Sequence, residues 1–148
     1  MKRIRRIVHP TDFSRASAPA FTRAVDMAKA NRAELLLIHV FVPGVPPVGP
    51  AYMRPAVLAD LEASARAHGK KELEKLVAKA RRAGVRARGL LLEGLPHESI
   101  NRVARSKRAD LMVMGTHGRT GFARFFLGSV ASRVLATAPC PVMTVRGG

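Results

Sequence analysis

The chain has 148 residues, 26 Lys and Arg against 10 Asp and Glu, a formal charge of +16, and 47% hydrophobic residues. That length predicts one domain spanning residues 1–148, large enough to bury a core without metals or disulfides. The longest apolar runs fall far short of a membrane span, no signal-like stretch follows Met1, and one cysteine permits no internal disulfide. Membrane, fibrous and secreted classes are excluded, and a cytoplasmic setting is expected.

Ile4, Ile7 and Val8 open a β-branched run that stops at His9-Pro10, where proline ends ladder pairing. Apolar residues then recur at Ala20, Phe21, Ala24, Val25 and Ala28, one face of a helix that Ser14 or Ser17 can cap. Residues 35–41 form a continuous apolar run of strand length, the pattern of a strand buried on both faces of a parallel sheet. A loop rich in Pro and Gly follows over residues 43–50. Leu58, Leu61, Ala65, Leu73, Leu76, Val77 and Ala80 then share one side of a long helix that Gly84 stops.

Residues 85–92 read as a third strand, 96–106 as a third helix and 111–114 as a fourth strand. Val130, Val134 and Leu135 mark a fourth helix ended by Pro139, and residues 141–145 make a last strand. Strands alternating with helices imply right-handed βαβ units, hence a five-stranded parallel sheet with helices on both faces. In such a sheet, ligands bind beyond the carboxyl ends of the strands. The loops after His9, Phe41, Glu93, Met114 and Val145 are therefore the places to look.

One of them is unusual. After Met114 come Gly115, Thr116, His117, Gly118, Arg119, Thr120 and Gly121, and nine residues separate Gly118 from Gly128-Ser129 at a helix start. Glycines let several backbone N–H groups converge on one point, and a helix N-terminus adds unpaired donors and a dipole that favours an anion. Ser129 can cap that helix and offer its hydroxyl to a phosphate. The segment is neither a P-loop nor a dinucleotide fingerprint, since no Gly-Lys-Ser/Thr and no Gly-x-Gly-x-x-Gly occurs.

The pattern Gly-x-x-Gly-(nine residues)-Gly-Ser resembles the nucleotide-binding branch of the universal stress protein family. Pro10-Thr11-Asp12, His39-Val40 and Cys140-Pro141-Val142 extend the resemblance over nearly the whole chain. It implies a Rossmann-like, adenine-nucleotide alpha-hydrolase-like sheet of order 3-2-1-4-5, ATP as ligand with or without Mg²⁺, and a role as a stress-response regulator or nucleotide sensor. By the same resemblance Asp12 takes the ribose, with Pro10 and Thr11 shaping that wall. The Val40 backbone meets the adenine edge, Met114 and Gly115 form the floor, and Gly118, Gly128, Ser129 and Val130 take the phosphates. A homodimer through the edge strand 141–145 is also implied.

Alternatives stand beside several of these roles. Asp12 can also act as a helix cap, and the two roles can coexist. Arg119 and Arg124 either reach outer phosphates or are solvated, in a chain with 19 Arg. His117 is a candidate phosphate donor, His39 is expected to pack at a strand end, and Cys140 to be a buried small hydrophobe. Phe125, Phe126 and Leu127 either pack under the loop or meet a partner. No histidine pair has zinc-site spacing, and phosphotransfer would want a base and a metal-binding carboxylate pair, so any hydrolysis is expected to be slow.

Lys71, Lys75, Lys79 and Arg82 align on one face of the long helix, placed away from the phosphate loop. This stripe is either a solvated face or a landing surface for nucleic acid. The second reading makes the chain a basic nucleic-acid-binding module whose glycine loop holds backbone phosphate. Six Phe and one Tyr offer little for single-strand stacking.

Overall fold

A computed structural model describes residues 2–44, 54–117 and 127–147. Five strands form one parallel sheet: β1 (Arg6–Pro10), β2 (Glu34–Phe41), β3 (Arg86–Glu93), β4 (Leu111–Gly115) and β5 (Val142–Val145). Their order is β3-β2-β1-β4-β5, as expected. Successive crossovers therefore run outward in one direction from β1 to β3 and in the other from β4 to β5. The strand order reverses between β1 and β4.

The run at the heart of β2 shows why both faces must be covered. Leu35, Leu36, Leu37 and Ile38 are all fully buried. Side chains alternate across a strand, so Leu35 and Leu37 enter one core while Leu36 and Ile38 enter the other. The first core is closed by α1 (Ala18–Asn31) and α2 (Pro55–Arg82), which contribute Phe21, Ala24, Ala28, Leu73, Val77 and Ala80. The second is closed by α3 (Pro96–Ser106) and α4 (Ser129–Thr137) through Ile100, Val103, Ala104, Ala131 and Val134.

Several local details differ from the sequence reading. Ser14 does not cap α1 directly; its hydroxyl accepts the Ser17 N–H at 3.2 Å and caps a short 3-10 turn, Arg15–Ser17, that leads into α1. The apolar side of α2 is fully buried only from Gly69 onward, and Leu58, Leu61 and Ala65 are half-buried. β5 starts at Val142 because Pro141 has no N–H to give, though its carbonyl still accepts from the Met112 amide at 2.9 Å. Gly84 does follow the end of α2, with a φ of 91° that favours glycine.

Two acidic residues tie down the amino ends of the strands. Glu34 accepts from Arg88 at 2.7 Å and from Arg6 at 3.1 Å. Partial burial pushes its carboxyl up, but these two partners outweigh that and hold it below the usual range. Asp110 accepts the amides of Arg5 and Arg6 at 2.9 and 3.1 Å, pinning the start of β1 beside the start of β4. Cys140 is half-buried against the second core, where burial and then Asp110 push its thiol up.

Candidate functional site

The β1–α1 connection is built from short-range hydrogen bonds. The Thr11 amide continues the ladder to the Ile38 carbonyl at 2.8 Å, and the Thr11 hydroxyl accepts from the Phe13 amide at 3.1 Å. Asp12 Oδ1 accepts from the Ser14 amide at 2.9 Å, so the carboxylate forms a local turn rather than capping α1. Between them Phe13 takes φ 63°, a left-handed conformation that a bulky residue adopts only when its surroundings enforce it. Its ring lies 4.4 Å from the imidazole of His39, whose Nδ1–H donates to the Thr11 carbonyl at 2.9 Å. His39 thus braces the loop from β2.

On the other side of the reversal, β4 ends at Gly115, and the Thr116 amide donates to Val145 at 3.0 Å. The chain returns at Gly128, whose amide donates to the Thr116 carbonyl at 2.7 Å. Gly128, not Ser129, is the N-cap of α4; Ser129 is the first helical residue and makes no side-chain capping bond. The first intrahelical acceptor is the Gly128 carbonyl, bonded by the Ser132 amide. Helix geometry therefore leaves the amides of Ser129, Val130 and Ala131 without intrahelical acceptors.

These two turns enclose a cavity of about 340 Å³ at the carboxyl end of the sheet. Of the residues singled out in the sequence, the structure places Pro10, Thr11, Asp12, Val40, Met114, Gly115, His117, Gly128, Ser129 and Val130 in its lining. Gly118, Arg119, Arg124, Phe125 and Phe126 lie outside the described residues. Leu127 is exposed. Ser17, Ile38, His39, Pro96, Ile100, Thr116 and Ala131 complete the lining and were not anticipated. His39 in particular is more than strand-end packing.

Strand alternation gives Val40 a distinct position. Backbone groups of alternate residues face the same neighbour, so its N–H and C=O turn the way the Ile38 carbonyl does, toward β1. The rung from Thr11 to Ile38 lies one step earlier, and β1 itself has ended at Pro10. Val40 thus presents a donor and an acceptor at the cavity edge, spaced to pair with a planar heterocycle.

Asp12 is the one acidic side chain among the described lining residues. Among the described lining residues, the groups suited to an anion are backbone amides, hydroxyls and a helix dipole, with no Lys or Arg beside them. His117 adds a further polar atom: its Nδ1 is 2.9 Å from the Thr116 hydroxyl, while its buried Nε2 has no partner among the described residues. Among those residues, no group of three or more His, Cys, Asp or Glu could hold a metal ion, and no helix is long and apolar enough to cross a membrane.

Residues 3–146 match the sequence model of the universal stress protein family. The chain belongs to that family. It is 41% identical over 143 residues to universal stress protein MJ0531 of Methanocaldococcus jannaschii, covering 96% of this chain and 82% of the relative. Universal stress protein UspA from Lactobacillus plantarum superposes with a TM-score of 0.83 at 27% identity, covering 99% of this chain and 100% of that one. A universal stress protein crystallised in complex with cAMP superposes with a TM-score of 0.70 at 24% identity, covering 99% of this chain and 100% of that one. These universal stress proteins share the adenine-nucleotide alpha-hydrolase-like fold seen here.

Proposed function

We propose that this universal stress protein binds ATP in the cavity between the ends of β1, β2 and β4 and serves as a nucleotide sensor in a stress response. The observation that carries the reading is convergence at the strand-order reversal. A carboxylate at the end of β1, an open backbone edge on β2 and the N-terminus of α4 line one cavity. A solved relative in complex with cAMP adds support for an adenine nucleotide.

In this reading adenine meets the backbone of Val40 over a floor of Met114 and Gly115, and Asp12 accepts from ribose hydroxyls beside Pro10 and Thr11. The phosphates meet the first amides of α4, at Ser129 and Val130, together with the Ser129 hydroxyl; Gly128 shapes the entry to that helix. Gly118 and Arg119 belong to the same proposal on sequence grounds. If Mg²⁺ accompanies ATP, phosphates and water would supply its ligands, and Asp12 stays on the ribose side. Any hydrolysis should be slow, because phosphoryl transfer wants a positioned base as well as metal-held phosphates. The protein is further proposed to act in the cytoplasm as a homodimer paired through β5, whose outer edge has no strand beside it among the described residues.

The test is to denature purified protein and identify the small molecule released, then to titrate stripped protein with ATP, GTP and inorganic triphosphate by calorimetry. ATP or ADP in the supernatant, with ATP preferred over GTP, supports the proposal. Equal binding of all three would overturn the adenine and ribose assignments.

A further inference from the structure

On the opposite face of the sheet, α1 and α2 do not close completely over the first core. Between them lies a groove of about 410 Å³. Its apolar surface comes from Phe13, Ala18, Phe21 and Leu76, and its charged lining from Glu72, Lys75, Lys79 and Arg82, with Thr11, Ser14 and Ser17 adding hydroxyls. The row singled out as a solvated stripe therefore borders a hollow. Only Lys71, the first of the four, falls outside its lining.

The charges here are poorly balanced. Lys75 pairs with Glu72 at 2.9 Å. Lys79 holds its ammonium 5.6 Å from the centroid of the Phe21 ring, and among the described residues neither Lys79 nor Arg82 has a carboxylate partner. The C-terminal end of a helix favours cations, which accounts for Lys79 and Arg82 as a pair. It does not account for a recess with aromatic walls beneath them.

We propose that this groove binds a small organic anion with an apolar body, the acid group between Lys79 and Arg82 and the body against Phe21, Phe13 and Leu76. A hollow of this size, with aromatic and aliphatic side chains beside hydroxyls and charged groups, can take a small molecule. A nucleic-acid backbone would meet the cations but has nothing apolar to fill the recess. The groove is separate from the nucleotide cavity, although Thr11 and Ser17, with hydroxyls 3.3 Å apart, line both.

Naphthalene-1-sulfonate is a suitable probe, with inorganic sulfate as the anion lacking an apolar body. Titration at physiological salt, followed by amide resonances, should give saturable shifts at Ser14, Ala18, Phe21, Lys75 and Leu76. Sulfate should bind at least about tenfold more weakly, and the double variant Lys79→Gln/Arg82→Gln should lose about tenfold in sulfonate affinity while staying folded, since both residues lie on an exposed helix face. Three results would overturn the proposal: sulfate binding as tightly as the sulfonate, an unchanged double variant, or shifts confined to the Asp12 and Ser129 side. Duplex DNA displacing the probe with higher affinity at the same salt would assign the stripe to nucleic acid instead.

Discussion

The Gly128 amide and the Thr116 carbonyl meet at 2.7 Å, and a Cβ on Gly128 would stand 2.9 Å from that same oxygen. The glycine is required by a close backbone approach, not by its φ of −60°, which any residue adopts. Substitution there acts on the frame of the site before it acts on a ligand. Gly128→Ala should destabilise the fold by about 1–3 kcal/mol, each kcal/mol lowering the melting temperature by about 2–4 °C. A calorimetric scan checks this. Ser129→Ala is the cleaner probe of phosphate binding, because no capping bond is lost; its melting temperature should stay near wild type while ATP affinity falls.

Asp12 has two duties that variants can separate. Asp12→Ala should weaken ATP by about 1.5–3 kcal/mol, the worth of a hydrogen bond to a charged group, and leave inorganic triphosphate unaffected. Asp12→Asn keeps an oxygen for the Ser14 amide and so should preserve the turn, with a smaller loss for ATP. Equal losses for ATP and triphosphate in calorimetry would make Asp12 a structural or metal-binding group.

His9 makes stability depend on pH. It is fully buried, its Nδ1–H donates to Val113 at 2.8 Å, and its Nε2 has no partner among the described residues. Burial lowers its pKa from 6.5 to about 4, against smaller opposing effects of the Val113 carbonyl and Asp12. The unfolded chain therefore takes up a proton first. Stability from the neutral imidazole is complete above pH 6.5 and is lost as pH falls toward 4, by about 3 kcal/mol in all. Urea midpoints measured between pH 7 and pH 4 should drop steeply in wild type and far less in His9→Gln. Parallel curves would mean that His9 charges without cost.

The hydrogen-bond pattern of β5 decides which residue can test the dimer. Pro141 and Val145 turn their carbonyls to Met112 and Thr116, so alternation turns Met143 toward β4 and Val142 and Thr144 toward the open edge. Met143→Pro would damage the sheet itself. Thr144→Pro should instead remove an outward donor and leave the β4 ladder intact, giving a folded monomer in sedimentation if β5 pairs two copies. A folded Thr144→Pro dimer would place the interface elsewhere.

The sheet was legible because its signals are local and repeated. The apolar run through Leu35 and Ile38 needs two covered faces, and Pro96 opens α3 where the pattern predicts. The cavity residues with motif character, Asp12 and the Gly128-Ser129 pair, were legible for the same reason. Ser17, Ile100 and Pro96 were not, because they reach the cavity through packing between elements distant in sequence. Nor does spacing alone show that Lys75, Lys79 and Arg82 overhang a recess, which depends on how far α1 stands from α2.

Placing β1 at the centre of the sheet has a consequence for the order of folding. Ile7 and Val8 pair with Leu35 and Leu36, but also with Leu111 and Met112, more than a hundred residues later. As the chain leaves the ribosome, β1 can join β2 and then β3 while its other edge stays open. That edge closes only after α3 has been made. Pairings between such distant segments carry a large loop-closure cost and slow folding, and unpaired strand edges invite association between nascent chains. Asp110, which grips the amides of Arg5 and Arg6 just ahead of β4, is placed to hold that late register once it forms. A chain interrupted between β3 and β4 should therefore be the species most dependent on chaperones.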